Sequence, residues 1–261
     1  MSAATAPTAP TTSESAPVDV SGDRIPFARL VGLELRKMVD TRAGMWMLVV
    51  MAGMSFLVAA GLVVWGEGSG AAFPTFLGLI VMPMMLLLPI VGIMSATQEW
   101  AHRTGLVTFA LVPRRGRVLA AKVAGALVLC LVLLAAAGAA ALLGTLLAGG
   151  ELTLTGISLV GIVLAGLVYT LQGVAFGAAF LNTPVAIVTS LVLPTVWTVL
   201  TAMTGWMGDV ARWLDLNLVT APLTEGSMTG ESWAQLAAAT AVWVGIPLAI
   251  GTHRVLMREV K

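Results

Sequence analysis

Long apolar stretches separated by short polar connections dominate the hydrophobicity pattern of this chain. Runs such as Val118–Leu134 are continuous and lack the alternation that β-barrel strands show. A helix needs about 20 apolar residues to cross the hydrocarbon core of a bilayer. The pattern therefore predicts six transmembrane helices, near residues 45–65, 74–95, 119–148, 157–181, 184–204 and 234–252.

Residues 25–40, ahead of the first span, are too few and too polar to cross a membrane. At 100° per residue, their apolar and charged positions fall on opposite sides, which predicts an amphipathic helix along the inner membrane surface. Glu34 interrupts the apolar side, and two interpretations are open. Its carboxylate either reaches up to water or pairs with a base from the connection between spans two and three. The apolar side holds Phe27, Leu30, Val31, Leu35 and Met38, and the other side holds Arg29, Arg36 and Asp40.

The N-terminal residues 1–22 are rich in Ser, Thr, Ala and Pro and contain no apolar run. This composition predicts a disordered cytoplasmic tail and not a signal peptide. Residues 23–261 are predicted to form one membrane domain. The fold class is therefore all-α: a polytopic membrane protein with six transmembrane helices and an N-terminal interfacial amphipathic helix.

Composition and charge agree with this prediction. Hydrophobic residues make up 58% of the chain and charged residues only 10%, which is too small a charged shell for a soluble domain. All of the 14 basic residues except Arg212 lie before span one, between span two and the start of span three, or at the C-terminus. The positive-inside rule then places both termini and the 2–3 connection on the cytoplasmic side of the cell membrane.

Several kinds of chemistry are missing from the sequence. It has no phosphate-binding Gly-x-x-x-x-Gly-Lys-Ser/Thr loop and no cluster of His and Cys with metal-ligand spacing. The predicted spans contain no carboxylate or histidine near their centres, which argues against a proton-coupled carrier. A net charge of +1 gives no general attraction to nucleic acid. We therefore expect a non-catalytic chain that binds no cofactor and no metal.

Irregular features mark three places in the predicted bundle. The sequence Gly173-x-x-x-Gly177 predicts a close helix–helix contact for span four. The prolines in spans two, five and six predict kinks, which serve either packing or gating. The longest outer connection, 205–233, predicts short helices that dip partly into the outer leaflet and form a lid or a cap. Its tryptophans are Trp206, Trp213 and Trp233, and the prolines inside the spans are Pro83, Pro89, Pro194 and Pro247.

The connection between spans two and three carries the most information about function. It opens with Glu99-x-x-x-Arg103 and predicts a short surface helix between Gly105 and Pro113. The apolar residues of that helix would fit a groove on a soluble partner, although an ordinary basic loop is the alternative. The candidate residues for contact with such a partner are Glu34, Glu99, Arg103, Leu106, Phe109, Leu111, Pro113 and Arg115.

With these motifs, residues 25–258 resemble the permease subunits of type-2 ABC exporters, in particular the small six-span kind common in actinobacteria. The resemblance rests on Leu33-Glu-Leu-Arg-Lys37, on Glu99-x-x-x-Arg103 followed by Pro113-x-Arg115 and Lys122, and on the spacing of the later spans. One departure is Thr104-Gly105, where family members usually have Gly-Thr.

The resemblance implies a permease that pairs with a second copy or a sister subunit, each resting on a separate ATP-binding subunit that holds ATP and Mg. It further implies that residues 25–40 are the connecting helix, that residues near 100–113 are the coupling helix, and that transport is outward. The smooth, uncharged spans favour hydrophobic or amphipathic cargo. The alternatives from other classes are an ion-coupled secondary carrier and a non-transport membrane scaffold or immunity protein.

Overall fold

A computed structural model describes residues 25–65, 71–101, 115–203 and 207–257. The predicted tail, Trp206 and five candidate residues (Arg103, Leu106, Phe109, Leu111 and Pro113) lie outside these ranges. The described residues form helices and connections, with no β-strand among them. The helices are α1 (Phe27–Asp40), α2 (Arg42–Trp65), α3 (Phe73–Ala101), α4 (Arg115–Leu147), α5 (Leu159–Phe180), α6 (Thr183–Met203), α7 (Gly208–Leu214), α8 (Leu216–Glu225), α9 (Gly230–Thr240) and α10 (Ile246–Met257).

Six of the helical segments are long and apolar enough to cross a membrane: α2 to α6, and Gly230–Met257, which joins α9 to α10. The chain is therefore a multi-pass membrane protein, and the predicted fold class is confirmed. The predicted span limits agree within a few residues for most spans. The second span is longer than predicted because α3 continues through Glu99 to Ala101.

The centre of the bundle is the contact between α3 and α5, the most extensively packed pair of helices. A Cβ on Gly173 would overlap the carbonyl oxygen of Pro89, and one on Gly92 would overlap that of Thr170. Only hydrogen at these positions lets the two backbones approach so closely. A Cβ on Gly177 would lie 2.8 Å from the Cβ of Ala96, so the contact predicted from Gly173-x-x-x-Gly177 is confirmed.

The sixth span contains a wide turn at its middle. Residues Ala241–Gly245 form a π-helical segment just before α10. Pro247 follows it, and a proline has no N–H to donate to the carbonyl four residues earlier, which here belongs to Trp243. The missing hydrogen bond explains why the helix widens at this point.

The connection before the sixth span folds back along the bundle as the pair α7–α8. At one end, the Ser158 N–H donates to the Thr224 carbonyl at 2.7 Å. At the other end, the Trp243 Nε1–H donates to the Leu214 carbonyl at 2.6 Å. Helix α8 thus lies beside the first half of α5: α8 begins near the middle of α5 and ends near Ser158. This is expected for short helices that dip into the membrane.

Helix α1 packs against the start of α4 and also contacts α2 and α3. Its buried residues are Leu30, Glu34 and Met38, which share one face at a spacing of four. Phe27, which was predicted on the apolar side, is 42% exposed because the buried stripe follows this narrower line of contact. Gly125 lies at this contact, since a Cβ there would be in van der Waals contact with the Cβ of Glu34, 3.4 Å away.

Candidate functional site

Four charged side chains meet where α1 lies against α3 and α4, and we call them the ion-pair cluster: Glu34, Lys37, Glu99 and Lys122. Glu34 accepts from Lys37 through Oε1 at 2.6 Å and from Lys122 through Oε2 at 2.9 Å. Glu99 Oε1 lies 3.3 Å from the Nζ atoms of both lysines. The charges alternate around a closed ring and sum to zero, so each carboxylate contacts two ammonium groups.

Three members of the ion-pair cluster are almost completely shielded from solvent. Relative exposure is 5% for Glu34, 3% for Glu99 and 4% for Lys122. The Lys37 side chain is 40% exposed and closes the ring on its open side. Charges at such positions persist only when they are paired and hydrogen-bonded. The interpretation in which Glu34 reaches up to water is therefore wrong. Glu34 pairs with bases, as the other interpretation held, but these are Lys37 of α1 itself and Lys122 inside α4, not residues of the connection between the two spans.

Backbone contacts hold the ion-pair cluster in place. Lys122 Nζ also donates to the Ser95 carbonyl at 3.2 Å, and Ser95 Oγ donates back to the Lys122 carbonyl at 3.1 Å. This reciprocal pair joins α3 to α4. The Gln98 Nε2–H donates to the Lys37 carbonyl at 3.4 Å, which joins α3 to α1. Three helices therefore meet at one polar junction inside an apolar bundle.

The surroundings fix the charge state of the α1 members. Burial alone would raise the pKa of Glu34, but the charge of Lys122 and the hydrogen bonds from both lysines outweigh it and lower that pKa below its usual range. Burial would likewise lower the pKa of Lys37, but Glu34 and Glu99 together raise it above its usual range. Both residues are charged at neutral pH.

Arginines tie the remaining helices to the same end of the bundle. Arg117 Nη2 donates to the Ile25 carbonyl at 2.7 Å, and Arg115 Nη1 donates to the Val255 carbonyl at 3.2 Å. Arg254 Nη1 donates to the Ala179 carbonyl near the end of α5 at 2.6 Å. We call this the basic end: the place where α1, the start of α4 and the end of α10 meet.

Of the described candidate residues, the structure brings Glu34 and Glu99 together through the two lysines, whereas Arg115 lies outside the ion-pair cluster and contacts α10. Lys37 and Lys122 were predicted as basic flanks and as parts of the motifs that carry the resemblance, but not as candidate contact residues. A usable signal was present. Three charged residues occur in apolar surroundings in the sequence: Glu34 on an apolar helix face, Glu99 at the end of a span and Lys122 within an apolar run. Charges that cannot reach water must be paired, so these residues are expected to form ion pairs with one another.

A second polar site lies at the junction of α7 and α8. Asp215 is 1% exposed and caps α8, because its Oδ1 accepts from the N–H groups of Asn217 at 2.9 Å and Leu218 at 3.3 Å. Tyr169 of α5 donates to Asn217 Oδ1 at 2.9 Å. Asp215 belongs to the outer connection 205–233, for which short helices dipping into the membrane were predicted, and no motif marked it as a site residue. The structure buries it because α7–α8 folds back along the spans.

The sequence matches no protein-family model, and no curated protein is significantly similar to it. The two polar sites and the helices that carry them are the features of this chain that bear on its function. None of the described residues forms a group of three or more His, Cys, Asp or Glu side chains that could hold a metal ion.

Proposed function

We propose that this chain is the membrane-spanning permease subunit of an ATP-driven exporter in the cell membrane, and that it works with a separate ATP-binding subunit. The observation that carries the proposal is the ion-pair cluster. It joins the amphipathic helix α1 to α3 and α4, the two spans that border residues 102–114. In this proposal both termini and the basic end face the cytoplasm, where such a subunit would bind.

Force applied to the surface segment 102–114 would reach the spans through the helices that the ion-pair cluster joins. A motor that pushes on residues 102–114 displaces the ends of α3 and α4, because the segment connects them. Helix α1 follows this movement since Glu34 and Lys37 are bound to Glu99 and Lys122. Three helices then move as one unit, which is the two-state element that ATP binding would bias. A second copy or a sister permease would complete the transport unit.

A groove between α2 and α4 supports hydrophobic or amphipathic cargo. Its volume is about 510 Å³, within the range typical of ligand pockets. Ser55 is the only polar residue in its lining, and its hydroxyl donates to the Met51 carbonyl of its own helix. Such a surface has no group to offer a charged solute, whereas a hydrocarbon chain needs none.

The test is purification together with an ATP-binding subunit, which we expect to be encoded beside this chain. In liposomes the complex should hydrolyse ATP. Arg103→Glu and Phe109→Asp should lower that hydrolysis without loss of assembly, because they alter the proposed contact surface. Asp209→Asn is the matched control: it changes one exposed charge, which pairs with Arg212 away from the basic end.

Wild-type hydrolysis in both contact variants, with normal assembly, would contradict the role of residues 102–114. Failure of any ATP-binding subunit to co-purify would contradict the proposal as a whole and would favour a membrane scaffold.

One observation favours a second candidate, an ion-coupled carrier that works alone. Asp215 is a carboxylate buried beside the spans, which such a carrier needs and which the sequence analysis did not expect. The two candidates separate in liposomes that contain only this chain. A carrier would move cargo when an ion or proton gradient is imposed, whereas a permease subunit would not.

A further inference from the structure

The junction of α7 and α8 lies beside the middle of two of the long apolar helical segments. Tyr169, which binds Asn217, is the eleventh of the 22 residues of α5. Trp243, which binds the Leu214 carbonyl, is the fourteenth of the 28 residues in the sixth span. At a rise of about 1.5 Å per residue, both midpoints lie roughly 15–20 Å from the ends of their helices. Both contacts therefore place Asp215 beside the middle of a long apolar helix.

Only one of the two oxygens of the Asp215 carboxylate has hydrogen-bond partners among the described residues. Oδ1 accepts two backbone N–H groups at the start of α8, whereas Oδ2 is buried and has no hydrogen-bond partner among the described residues. A carboxylate oxygen without a partner is costly in hydrocarbon, so its retention calls for a functional explanation.

Two aromatic side chains form hydrogen bonds close to Asp215 in the chain: Tyr169 with Asn217 Oδ1 and Trp243 with the Leu214 carbonyl. Tyr169, Trp197 and Trp243 belong to the same cluster of packed side chains as Leu216, the next residue in the chain. The Trp197 Nε1–H is buried and, within the described part of the chain, has no acceptor either. The charged residues of the adjoining helices lie outside this cluster: Asp209 and Arg212 of α7 form an exposed pair, and Glu225 and Glu231 lie at the far ends of α8 and α9.

We propose that Asp215 is the recognition site for the positively charged amine of an amphipathic cargo. An ammonium group donates to a carboxylate oxygen, which Oδ2 offers, and it is also attracted to Trp and Tyr rings, which lie near the start of α8. A bare metal ion suits it less, because such an ion needs several oxygen ligands. The site is closed over Asp215 in this structure, so cargo would enter when α7–α8 moves away from α5. The inference rests on the proposed export function and narrows its cargo to amphipathic cations.

The experiment measures binding of dodecylamine to the purified chain in nanodiscs of zwitterionic lipid, without any ATP-binding subunit and with empty nanodiscs subtracted. Dodecanol, which has the same alkyl chain and no charge, is the matched ligand control. We expect saturable binding of dodecylamine but not of dodecanol. Asp215→Asn should weaken the amine binding at least about tenfold, because one charge-assisted contact is lost.

Asn caps helices as well as Asp does, so Asp215→Asn keeps the fold of α8. Asp209→Asn is the matched protein control: it removes the same charge six residues away on an exposed side chain and should leave binding unchanged. Equal dodecylamine binding by wild type and Asp215→Asn would overturn the proposal and leave Asp215 as a helix cap. The proposal would also be overturned if KCl, at the same concentration as dodecylamine, displaced the bound dodecylamine. The site would then bind an inorganic cation.

These outcomes are independent of the motor. If dodecylamine does not bind but ATP hydrolysis responds to Phe109→Asp, the export function stands and only the cargo assignment fails. If dodecylamine binds and no ATP-binding subunit co-purifies, the site stands and the proposed function fails.

Discussion

Replacement of Lys122 by methionine tests the ion-pair cluster most directly. Methionine nearly preserves the shape of the lysine stem and removes only the charge and its donors. The variant loses the contacts to Glu34 at 2.9 Å, to Glu99 at 3.3 Å and to the Ser95 carbonyl at 3.2 Å. One net negative charge then remains in a pocket where both carboxylates are at most 5% exposed.

The expected cost follows from that burial. Removal of one partner from a buried ion pair destabilises a protein by about 3–5 kcal/mol, because the remaining charge is left uncompensated. At about 2–4 °C per kcal/mol for a protein of this size, the melting temperature should fall by roughly 6–20 °C. Because Lys37 still pairs with Glu34 at 2.6 Å, the lower half of this range is expected.

The chain offers its own reporter for this measurement. Cys130 is the only cysteine in the sequence and is 0% exposed, so a thiol-reactive dye labels it only after unfolding. Thermal scans of the detergent-solubilised protein give the shift. Arg36→Gln is the control on α1, since its pair with Asp40 at 3.3 Å is exposed and should contribute less than about 1 kcal/mol.

A double variant completes the test. Lys122→Met combined with Glu99→Gln removes one charge of each sign and leaves the Glu34–Lys37 pair intact, so most of the lost stability should return. Two results would refute the reasoning: a shift for Lys122→Met no larger than that of Arg36→Gln, or a double variant that is less stable than the single one.

Two further predictions concern pH and helix packing. The pKa of Glu34 is lower in the folded than in the unfolded chain, so its ionised form stabilises the fold. This contribution is complete above the ordinary carboxyl pKa of about 4.3 and is lost as pH falls through the lowered value. The raised pKa of Lys37 acts in the opposite direction, and its contribution is lost as pH rises above about 10.4. The melting temperature should thus be level between about pH 5 and 10. Below pH 5 it should fall less in Glu34→Gln than in the wild type, and an equal fall in both would contradict this assignment. Gly173→Ala should lower the free energy of unfolding by about 1–3 kcal/mol, because the added Cβ would overlap the Pro89 carbonyl oxygen. Gly138→Ala, with nothing within 4 Å of its added Cβ, should be neutral or stabilising, and equal melting temperatures for the two variants would contradict the packing argument.

Several elements could be predicted from sequence because their cause is local. The spans follow from long apolar runs, since a helix in lipid satisfies its own backbone and needs no partner to be recognised. The amphipathic α1 follows from its charge pattern, and the contact at Gly173 follows from small residues one turn apart. Pro247 indicated an irregularity in the sixth span, and the wide turn at Ala241–Gly245 lies directly before it.

The two polar sites could not be predicted in the same way, because they bring together residues far apart in the chain. Glu34 and Lys122 are separated by 88 positions, and only the packing of α1 onto α4 makes their pairing visible. Asp215 has the local signature of an ordinary helix cap, and nothing in its neighbours shows that α7–α8 will lie beside the middle of α5.

The sequence by itself therefore determined which segments enter the membrane, because transfer of a helix into hydrocarbon depends on its own side chains. The tertiary structure decided which charged groups leave water and which partners they have. That choice depends on close approach of distant helices, which the Glu34–Lys122 pair shows for α1 and the backbone contacts show for α7–α8. A buried charge is stable only where such an approach provides the opposite charge or a donor, and no local pattern specifies that position.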